Sequence, residues 1–244
     1  MGALDGLLSG PHAQGAFLLR MLMDSPFAMR VEDEAPLTLM AMLEGTAVVV
    51  VGGEAMTMRP GDVCVAKGPD HYLVADVPET PVTIVVDKDQ QCRSLDGRSL
   101  VDEMLLGVRT WGTSLDGDVH MLVGTYNLDS EVSRRLLAAI PPQIHLGADE
   151  WDSPLVGVLA EEVTVDQPGQ EVILDRLLDL LVISAVRAWF DRHDSESPGW
   201  YAAEVDDAFG ATVKLIHNEP ARRWTVAELA GEAGMSRAAY ARRV

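Results

Sequence analysis

The hydrophobic pattern of the chain changes near its middle from short runs to helical stripes. Between Leu37 and Tyr126, apolar runs alternate with turns that contain Gly or Pro. Short runs with this punctuation predict the strands of a small barrel or sandwich. The predicted strands cover residues 37–43, 47–51, 56–59, 63–66, 71–75, 82–86 and 119–126. Residues 1–36 are predicted to be a helical or irregular lead-in that breaks at Ser25-Pro26.

In the second half the apolar spacing is helical. Ser153-Pro154 predicts an N-cap followed by Pro at the first position of a helix that reaches about Asp166. Gly169 precedes the longest predicted helix, Glu171 to Arg192, which has one broad apolar face. Two roles are open for that face, packing on the barrel and contact with a second subunit. It consists of Leu174, Leu177, Leu178, Leu181, Ala185 and Trp189.

The last twenty residues, Thr225 to Val244, form a compact motif. Thr225 and Glu228 have the spacing of a capping box, in which each side chain bonds a free backbone N–H of the first turn. Gly234 suits a turn with positive φ, and Ser236 is expected to cap a second helix that is rich in Arg. A short apolar helix, a Gly turn and a basic helix predict a helix-turn-helix whose second helix suits the major groove of DNA.

Positive charge is concentrated at this C-terminal end. The formal net charge is −19, but from Ala211 onward six Lys and Arg residues stand against three Asp and Glu residues, a local charge of +3 that leaves −22 on the rest. This distribution would restrict phosphate contacts to one end of the molecule. No apolar run is long enough to cross a bilayer and the first ten residues lack a signal-peptide pattern, so a cytoplasmic location is expected.

Two stretches of the sequence resemble known families. The segment WTVAELAGEAGMSRAAYARRV, with its Leu-Ala pair, Met-Ser step and Arg-rich helix, resembles the first helix-turn-helix of AraC-family transcription regulators. Upstream, the order of Glu44-Gly45, Gly52-Gly53 and RPGDVCVAKGPDHYLV resembles a cupin barrel, and more narrowly the cupin-like sensor domain of one AraC-family branch.

The resemblance implies an α+β chain that regulates transcription. A cupin-like β-barrel or sandwich is expected at residues 1–128, a helical dimerisation region at 129–193, a linker at 194–205 and a partial all-α helix-turn-helix domain at 206–244. Related regulators form homodimers through long helices, so the apolar helix face is expected to serve both roles. Family members continue into a second helix-turn-helix, so this chain is expected to stop inside the first one and to bind DNA weakly.

The resemblance also assigns roles within the second helix of the motif. Ala238, Ala241 and Arg242 are expected to face base edges in promoter DNA, while Ser236 and Arg237 are expected to meet phosphate. Alanine can contact a thymine methyl group but cannot form bidentate hydrogen bonds to bases. Arg242 is therefore expected to provide most of the base discrimination in this half of the site.

The predicted barrel interior indicates a sensor rather than an enzyme. By alternation Met40 points inward, where a metal-binding cupin would place a His, and no His-x-His occurs in the chain. No metal, cofactor or catalytic residue is therefore expected; a metal-dependent cupin enzyme and a stand-alone sequestering protein are the alternatives. His71 corresponds to the last ligand of a cupin metal site. It is expected either to be a structural histidine or to line a pocket and meet a polar group of a small apolar or aromatic effector.

The expected effector site is the inward face of the barrel. Methionines adapt to ligands of varied shape, although the same side chains would also simply fill a small barrel. The expected effector-binding residues are Thr38, Met40, Met42, Val50, His71, Leu73 and Trp111.

The two cysteines offer a second sensing chemistry. Cys64 lies in a predicted strand on the face opposite Val63 and Val65, and Cys92 lies in a predicted loop. Some relatives respond to oxidants through cysteines, so both residues are redox candidates. Such a role requires an accessible thiol of low pKa.

Overall fold

Two β-sheets packed face to face form the body of the molecule. The computed structural model describes Ala13 and residues 16–126, 136–151, 153–192, 210–219 and 221–243. In chain order the strands are β1 Phe17–Met23, β2 Ala28–Val31, β3 Leu37–Glu44, β4 Ala47–Val51, β5 Glu54–Met58, β6 Val63–Lys67, β7 Tyr72–Ala75, β8 Ile84–Val86, β9 Cys92–Ser94, β10 Leu105–Gly107, β11 Thr110–Gly112, β12 Val119–Tyr126 and β13 Gln143–Leu146. A seven-stranded sheet has the order β10-β11-β1-β12-β3-β6-β13, and a six-stranded sheet has the order β5-β4-β7-β2-β8-β9.

This architecture confirms the predicted barrel or sandwich followed by helices. Strands β3, β4, β5, β6, β7, β8 and β12 correspond to the predicted runs. The sequence pattern did not predict β2, β9, β10, β11 or β13, which are strands of three or four residues. None of these five strands contains more than two consecutive apolar residues, so none forms an apolar run like those of the equally short strands β7 and β8.

The predicted helical lead-in before Ser25-Pro26 is wrong, because residues 17–23 form β1 inside the seven-stranded sheet. This strand pairs with β11 on one side and with β12 on the other. Leu18 packs beneath the helices, while Met21 and Met23 pack between the two sheets. A strand that is buried on both faces has a continuous apolar sequence, which periodicity alone cannot distinguish from a buried helix.

The seven-stranded sheet separates two apolar cores. Leu39 and Val65 point away from the other sheet into a core shared with the helices. Met40 and Cys64, each one residue away along the same strands, point into the core between the sheets. Strand alternation therefore assigns each residue of β3 and β6 to one core or the other.

The outer face of this sheet is covered by helices that include α1 Leu155–Glu162 and α2 Gln170–Arg192. The longest predicted helix is confirmed, and α2 begins directly after Gly169, which has a φ of 88°. The N-cap of α1 is Pro154, which has no side-chain cap, rather than the predicted Ser153. The Ser153 hydroxyl instead accepts a bond from the Leu155 N–H at 3.4 Å.

The apolar face of α2 is used for packing within the chain. Its buried members lie at 0–5% exposure in the core shared with the seven-stranded sheet: Leu174, Leu178, Leu181, Ala185 and Trp189. Leu177 is only partly buried against that core. Fully buried side chains have no surface left for a second subunit, which corrects the expectation that these five residues also form an interface. A second subunit could contact α2 only through the outer side chains of this helix.

Three short helices lie near the C-terminus, α3 Gly210–Asn218, α4 Val226–Glu232 and α5 Arg237–Arg243. The predicted capping box is confirmed, since the Thr225 side chain accepts from the Glu228 N–H while Glu228 accepts from the Thr225 N–H. Gly234 has a φ of 65°, as the predicted turn requires. The expected linker at 194–205 lies outside the described residues.

No helix in the described ranges is long and apolar enough to span a membrane.

Candidate functional site

A cavity of about 530 Å³ lies between the two sheets near the start of α2. Its wall is mainly apolar, with side chains from β1, β2, β3, β7 and β12. Four methionines contribute to it, namely Met21, Met29, Met40 and Met121. A largely apolar cleft of this size with a few polar groups is typical of sites for small molecules.

The structure brings only part of the expected effector set to this cavity. Met40 and Trp111 line its wall. Thr38 and Met42 are buried in the same strand as Met40 but are not part of the wall. The expectation that His71 meets the effector is wrong, because His71 is exposed and lies outside the cavity.

Val50 and Leu73 point in the opposite direction to the one expected. They pair with each other across β4 and β7 on the outer face of the six-stranded sheet. The inward residues are their neighbours, including Val49 and Val74. The run Ala-Val-Val-Val-Val in β4 has no polar alternation, so its inward side is determined by pairing with β7 and cannot be read from the run itself. Because β7 begins at Tyr72 and not at His71, its inward face is also shifted by one residue.

Two buried polar groups stand out in the apolar wall. Trp111 is only 8% exposed, and its buried indole N–H has no hydrogen-bond partner among the described residues. Asp33 is 9% exposed; one carboxylate oxygen accepts from the Ala35 N–H at 3.2 Å and the other from the Gln90 side-chain amide at 3.0 Å. Burial raises the pKa of the neighbouring Tyr72 hydroxyl, and the negative charge of Asp33 raises it further.

Arg109 links the cavity wall to the first turn of α2. It stands just before β11 with a φ of 41°. Its guanidinium group donates to the Gln170 side chain at 2.5 Å and lies 3.8 Å from the Glu171 carboxylate. Asp175, one turn further along α2, accepts a bond from the Ala16 N–H at 3.2 Å and also lines the cavity. The polar end of the cavity is therefore built from three separate segments of the chain.

Asp33, Arg109 and Asp175 were not predicted as site residues. Asp33 and Arg109 follow or precede short strands that the sequence pattern missed, and Asp175 lies on a helix whose other side chains suggested only packing. One signal was present, since Asp33 comes two residues after Ala28–Val31, a short segment in which only Arg30 is charged, within the predicted helical or irregular lead-in. The three residues line the same cavity although they belong to three separate segments of the chain.

Both thiols have raised pKa values. Burial raises the pKa of the Cys64 thiol to about 12. Cys92 lines the cavity, and burial together with the negative charge of Asp87 raises its pKa to about 11. Thiols of this kind ionise little at neutral pH, whereas redox-active cysteines have depressed pKa values. Neither environment resembles that of an activated cysteine.

Within the part of the chain that the structure describes, no group of three His, Cys, Asp or Glu side chains has the arrangement of a metal site.

The helix-turn-helix presents a small exposed surface along α5. Ser236, Arg237, Ala238 and Ala241 are exposed, whereas Tyr240 is buried against α4. The Ser236 hydroxyl accepts from the Ala239 N–H at 3.2 Å, which is the predicted cap. Four of the five residues predicted to contact DNA therefore face outward, and the side chain of Arg242 lies outside the described residues.

Comparison with known proteins follows the same division of the chain. Residues 3–191 match the family described as cupin, which covers the two sheets together with α1 and α2. The chain belongs to the cupin family. The cupin match ends before the described helices α3, α4 and α5.

Curated relatives align both with the residues of the cupin match and with the helices that follow it. A protein of Streptomyces lividans named as a putative AraC-like transcription regulator is 24% identical over 249 residues, which span 100% of this chain and 77% of the relative. The regulator AlkR of Acinetobacter baylyi, named as an HTH-type transcriptional regulator, is 26% identical over 249 residues, or 99% of this chain and 78% of the relative. These names confirm the recognition of an AraC-type transcription regulator with an N-terminal cupin domain.

Among solved structures, the ToxT protein of Vibrio cholerae with a bound unsaturated fatty acid is 12% identical, with a TM-score of 0.38 over 93% of this chain and 71% of that protein.

Proposed function

We propose that this chain senses a small molecule in the cupin cavity and transmits its presence to promoter DNA through the helix-turn-helix. The effector is small and largely apolar, with a limited number of polar groups. The observation that carries this proposal is the cavity of about 530 Å³, walled by apolar side chains and containing buried polar groups. As part of the same proposal, the protein regulates transcription in the cytoplasm and does not catalyse a reaction.

The methionine content of the interior supports a cavity that accepts ligands. Among the described residues, nine methionines belong to the core between the two sheets, and four of them line the cavity. Methionine side chains are flexible and polarizable, so they can close around ligands of different shapes. A core whose only task was rigid packing would favour residues with better-defined rotamers.

A physical connection between cavity and helix supports the transmission step. Leu174 and Asp175 belong to α2 and also line the cavity, so a ligand would contact this helix directly. Transmission requires two conformations of the protein, and the ligand must bind one of them more tightly than the other. Displacement of α2 relative to the seven-stranded sheet is the proposed change.

DNA binding is proposed for the outer face of α5. Ser236 and Arg237 are placed at phosphate, while Ala238, Ala241 and Arg242 face base edges. The exposure of the four described side chains supports this assignment, as does the positive charge of the C-terminal segment. Binding is proposed to involve a homodimer, because two linked helix-turn-helix units would read two half-sites.

Native mass spectrometry of the purified chain tests the sensor proposal. An organic adduct is expected in the wild-type protein. It is also expected in the control variant Leu73→Trp, because the half-buried Leu73 side chain lies on the outer face of the six-stranded sheet. The adduct is expected to be lost in Val123→Trp, because the indole of that variant would occupy the cavity. Retention of the adduct in Val123→Trp would place the ligand elsewhere and contradict the proposal.

DNA binding is tested by selecting duplexes from a random-sequence library and measuring fluorescence anisotropy at fixed salt. Arg242→Ala should weaken binding to the selected sequence by about 1–3 kcal/mol and change unselected DNA little. Arg237→Ala should weaken both to a similar extent, because phosphate contacts carry no sequence information. Equal losses for Arg242→Ala on the two DNAs would contradict base reading by that residue.

A further inference from the structure

The charged groups of the cavity are unbalanced in favour of the negative sign. Its wall includes the carboxylates of Asp33, Glu171 and Asp175 against one guanidinium group, that of Arg109. That guanidinium group is already engaged by Gln170 and Glu171. A ligand therefore meets an environment in which negative charge exceeds positive charge.

Asp33 is the most buried of these carboxylates. At 9% exposure it has no cationic partner among the described residues, and it accepts hydrogen bonds from the Ala35 N–H and the Gln90 amide. A carboxylate offers about four lone-pair positions, of which these two donors use half. Because a buried charge without a counter-ion is energetically unfavourable, a cation brought by a ligand would offset that cost.

The rest of the wall suits an organic cation rather than a metal ion. Tyr72 and Trp111 supply aromatic rings, whose faces attract cations, and Met29 and Met40 supply polarizable sulfur. The unpartnered indole N–H of Trp111 offers one donor for an oxygen atom of the ligand. An anionic ligand would instead be buried beside Asp33, and Arg109, the one cation of the described wall, already donates to Gln170 and lies 3.8 Å from the Glu171 carboxylate.

We infer that the cavity selects effectors with a positively charged organic amine or ammonium group on an apolar body, and that Asp33 is the counter-ion. This inference rests on the proposed sensor function and specifies the chemical class of its ligand. The amine would donate to the free lone pairs of Asp33, and the apolar body would extend along the methionine wall. Asp33 thereby determines specificity for charge, and the wall determines size.

Three probes of similar shape test the charge preference on the full chain. They are 4-phenylbutylamine, 4-phenylbutan-1-ol and 4-phenylbutyrate, which differ in charge at one end, and their binding is measured by isothermal titration calorimetry. The amine is expected to bind more tightly than the alcohol by about tenfold, with the carboxylate weakest, because only the amine compensates the buried charge. This comparison requires no variant and so does not depend on the folding of one.

Variants then locate the preference at Asp33. Asp33→Asn retains an oxygen acceptor but removes the charge, and it is expected to reduce the amine preference to about twofold. Asp89→Asn is the matched control, because Asp89 is exposed, lies near Gln90 and does not line the cavity. It should leave the preference unchanged. Unfolding curves of both variants confirm that the comparison is made between folded proteins.

Several results would overturn the inference. Binding of the alcohol or the carboxylate as tightly as the amine would overturn it, as would an amine preference that survives Asp33→Asn or amine binding that survives Val123→Trp. The first of these would leave the sensor proposal intact, since a neutral or anionic ligand would still occupy the cavity. Absence of binding by all three probes would also overturn the charge preference, while an adduct that is lost in Val123→Trp would still support the sensor proposal.

Discussion

The hydroxyl group of Tyr126 donates a hydrogen bond of 2.8 Å to Asp179, and both groups are buried where β12 meets α2. The same carboxylate accepts from the Ala13 N–H at 2.8 Å and pairs with Arg176 at 3.1 Å. Burial raises the pKa of Tyr126, and so does the negative charge of Asp179. This polar junction holds α2 against the seven-stranded sheet. We propose that α2 is the helix that transmits ligand binding.

Tyr126→Phe removes the donor and retains the packing of the ring. We expect a loss of about 1.5–3 kcal/mol in the free energy of unfolding, because the removed hydrogen bond involves a charged acceptor. Urea denaturation measures the loss. A double-mutant cycle with Asp179→Asn isolates the pair, since two residues in contact should have non-additive effects. Strictly additive effects would show that the two side chains do not interact.

Gly112→Ala tests the close approach of β11 to β1. A Cβ atom at Gly112 would lie 1.6 Å from the Leu22 carbonyl oxygen, and the φ of 155° is unfavourable for other residues. We expect a loss of about 3 kcal/mol or more, because the clash is with backbone and the strands must separate. Thermal unfolding measures this effect.

Gly157→Ala is the matched control for that substitution. Gly157 lies within α1, and a Cβ atom there would meet nothing within 4 Å. Alanine is favoured over glycine inside a helix by about 1 kcal/mol, so the control should be neutral or stabilising. Similar destabilisation by the two substitutions would contradict the explanation based on the clash.

Short apolar runs bounded by Gly or Pro turns were predicted as strands even where both faces are buried, as in β3 and β6, whereas the longer apolar run that contains β1 was predicted to be helical or irregular. In β3, alternation correctly assigned Met40 and Met42 to the core between the sheets. In β1, apolar residues occupy both faces, so the sequence resembled a helix. The capping box of Thr225 and Glu228 could be predicted because it involves only neighbouring residues.

The cavity could be predicted in character but not in detail. Its methionine content follows from the sequence, while the approach of Asp33, Arg109 and Asp175 depends on contacts between distant segments. The outward direction of Val50 and Leu73 depends on strand register, which the uniformly apolar runs of β4 and β7 do not encode. Long-range pairing therefore determines the charge pattern of the site.

The two thiols predict how stability responds to alkaline pH. Their pKa values are raised from 9.0 to about 12 for Cys64 and to about 11 for Cys92. The unfolded chain therefore loses its thiol protons first, and the free energy of unfolding should decrease as pH rises from about 9 towards 11. Urea denaturation across this range measures the slope, and a Cys64→Ala/Cys92→Ser variant should have a shallower one. The same slope in both proteins would contradict the raised values.

Thiol reactivity provides an independent check on the redox candidates. With a pKa of about 11, only about one Cys92 thiol in a thousand is ionised at pH 8. Reaction of the native protein with 5,5′-dithiobis(2-nitrobenzoate) should therefore be slow at that pH and become rapid in denaturant. Rapid labelling of the native protein would favour a redox role for one of the two cysteines.

The outer side of α2 provides the prediction for the homodimer. Ile173 and Leu180 are 49% and 50% exposed, and they lie at helical spacing on either side of the partly buried Leu177. Because these side chains form an apolar stripe on one helix face, we expect a second subunit to cover it. Leu180→Glu should place a charge in that contact and increase the dimer dissociation constant by at least about tenfold. Sedimentation equilibrium measures the constant.

Val77→Glu is the control for the dimer prediction, because Val77 has a similar exposure of 48% and follows β7 of the six-stranded sheet, whereas α2 packs on the seven-stranded sheet. It introduces the same charge and should leave the dimer dissociation constant unchanged. The chain already carries a net charge of −19, so this control separates a local effect at the interface from a general effect of added negative charge. A wild-type chain that is monomeric throughout the accessible concentration range would contradict dimerisation through α2, and promoter recognition by this chain would then involve a single half-site.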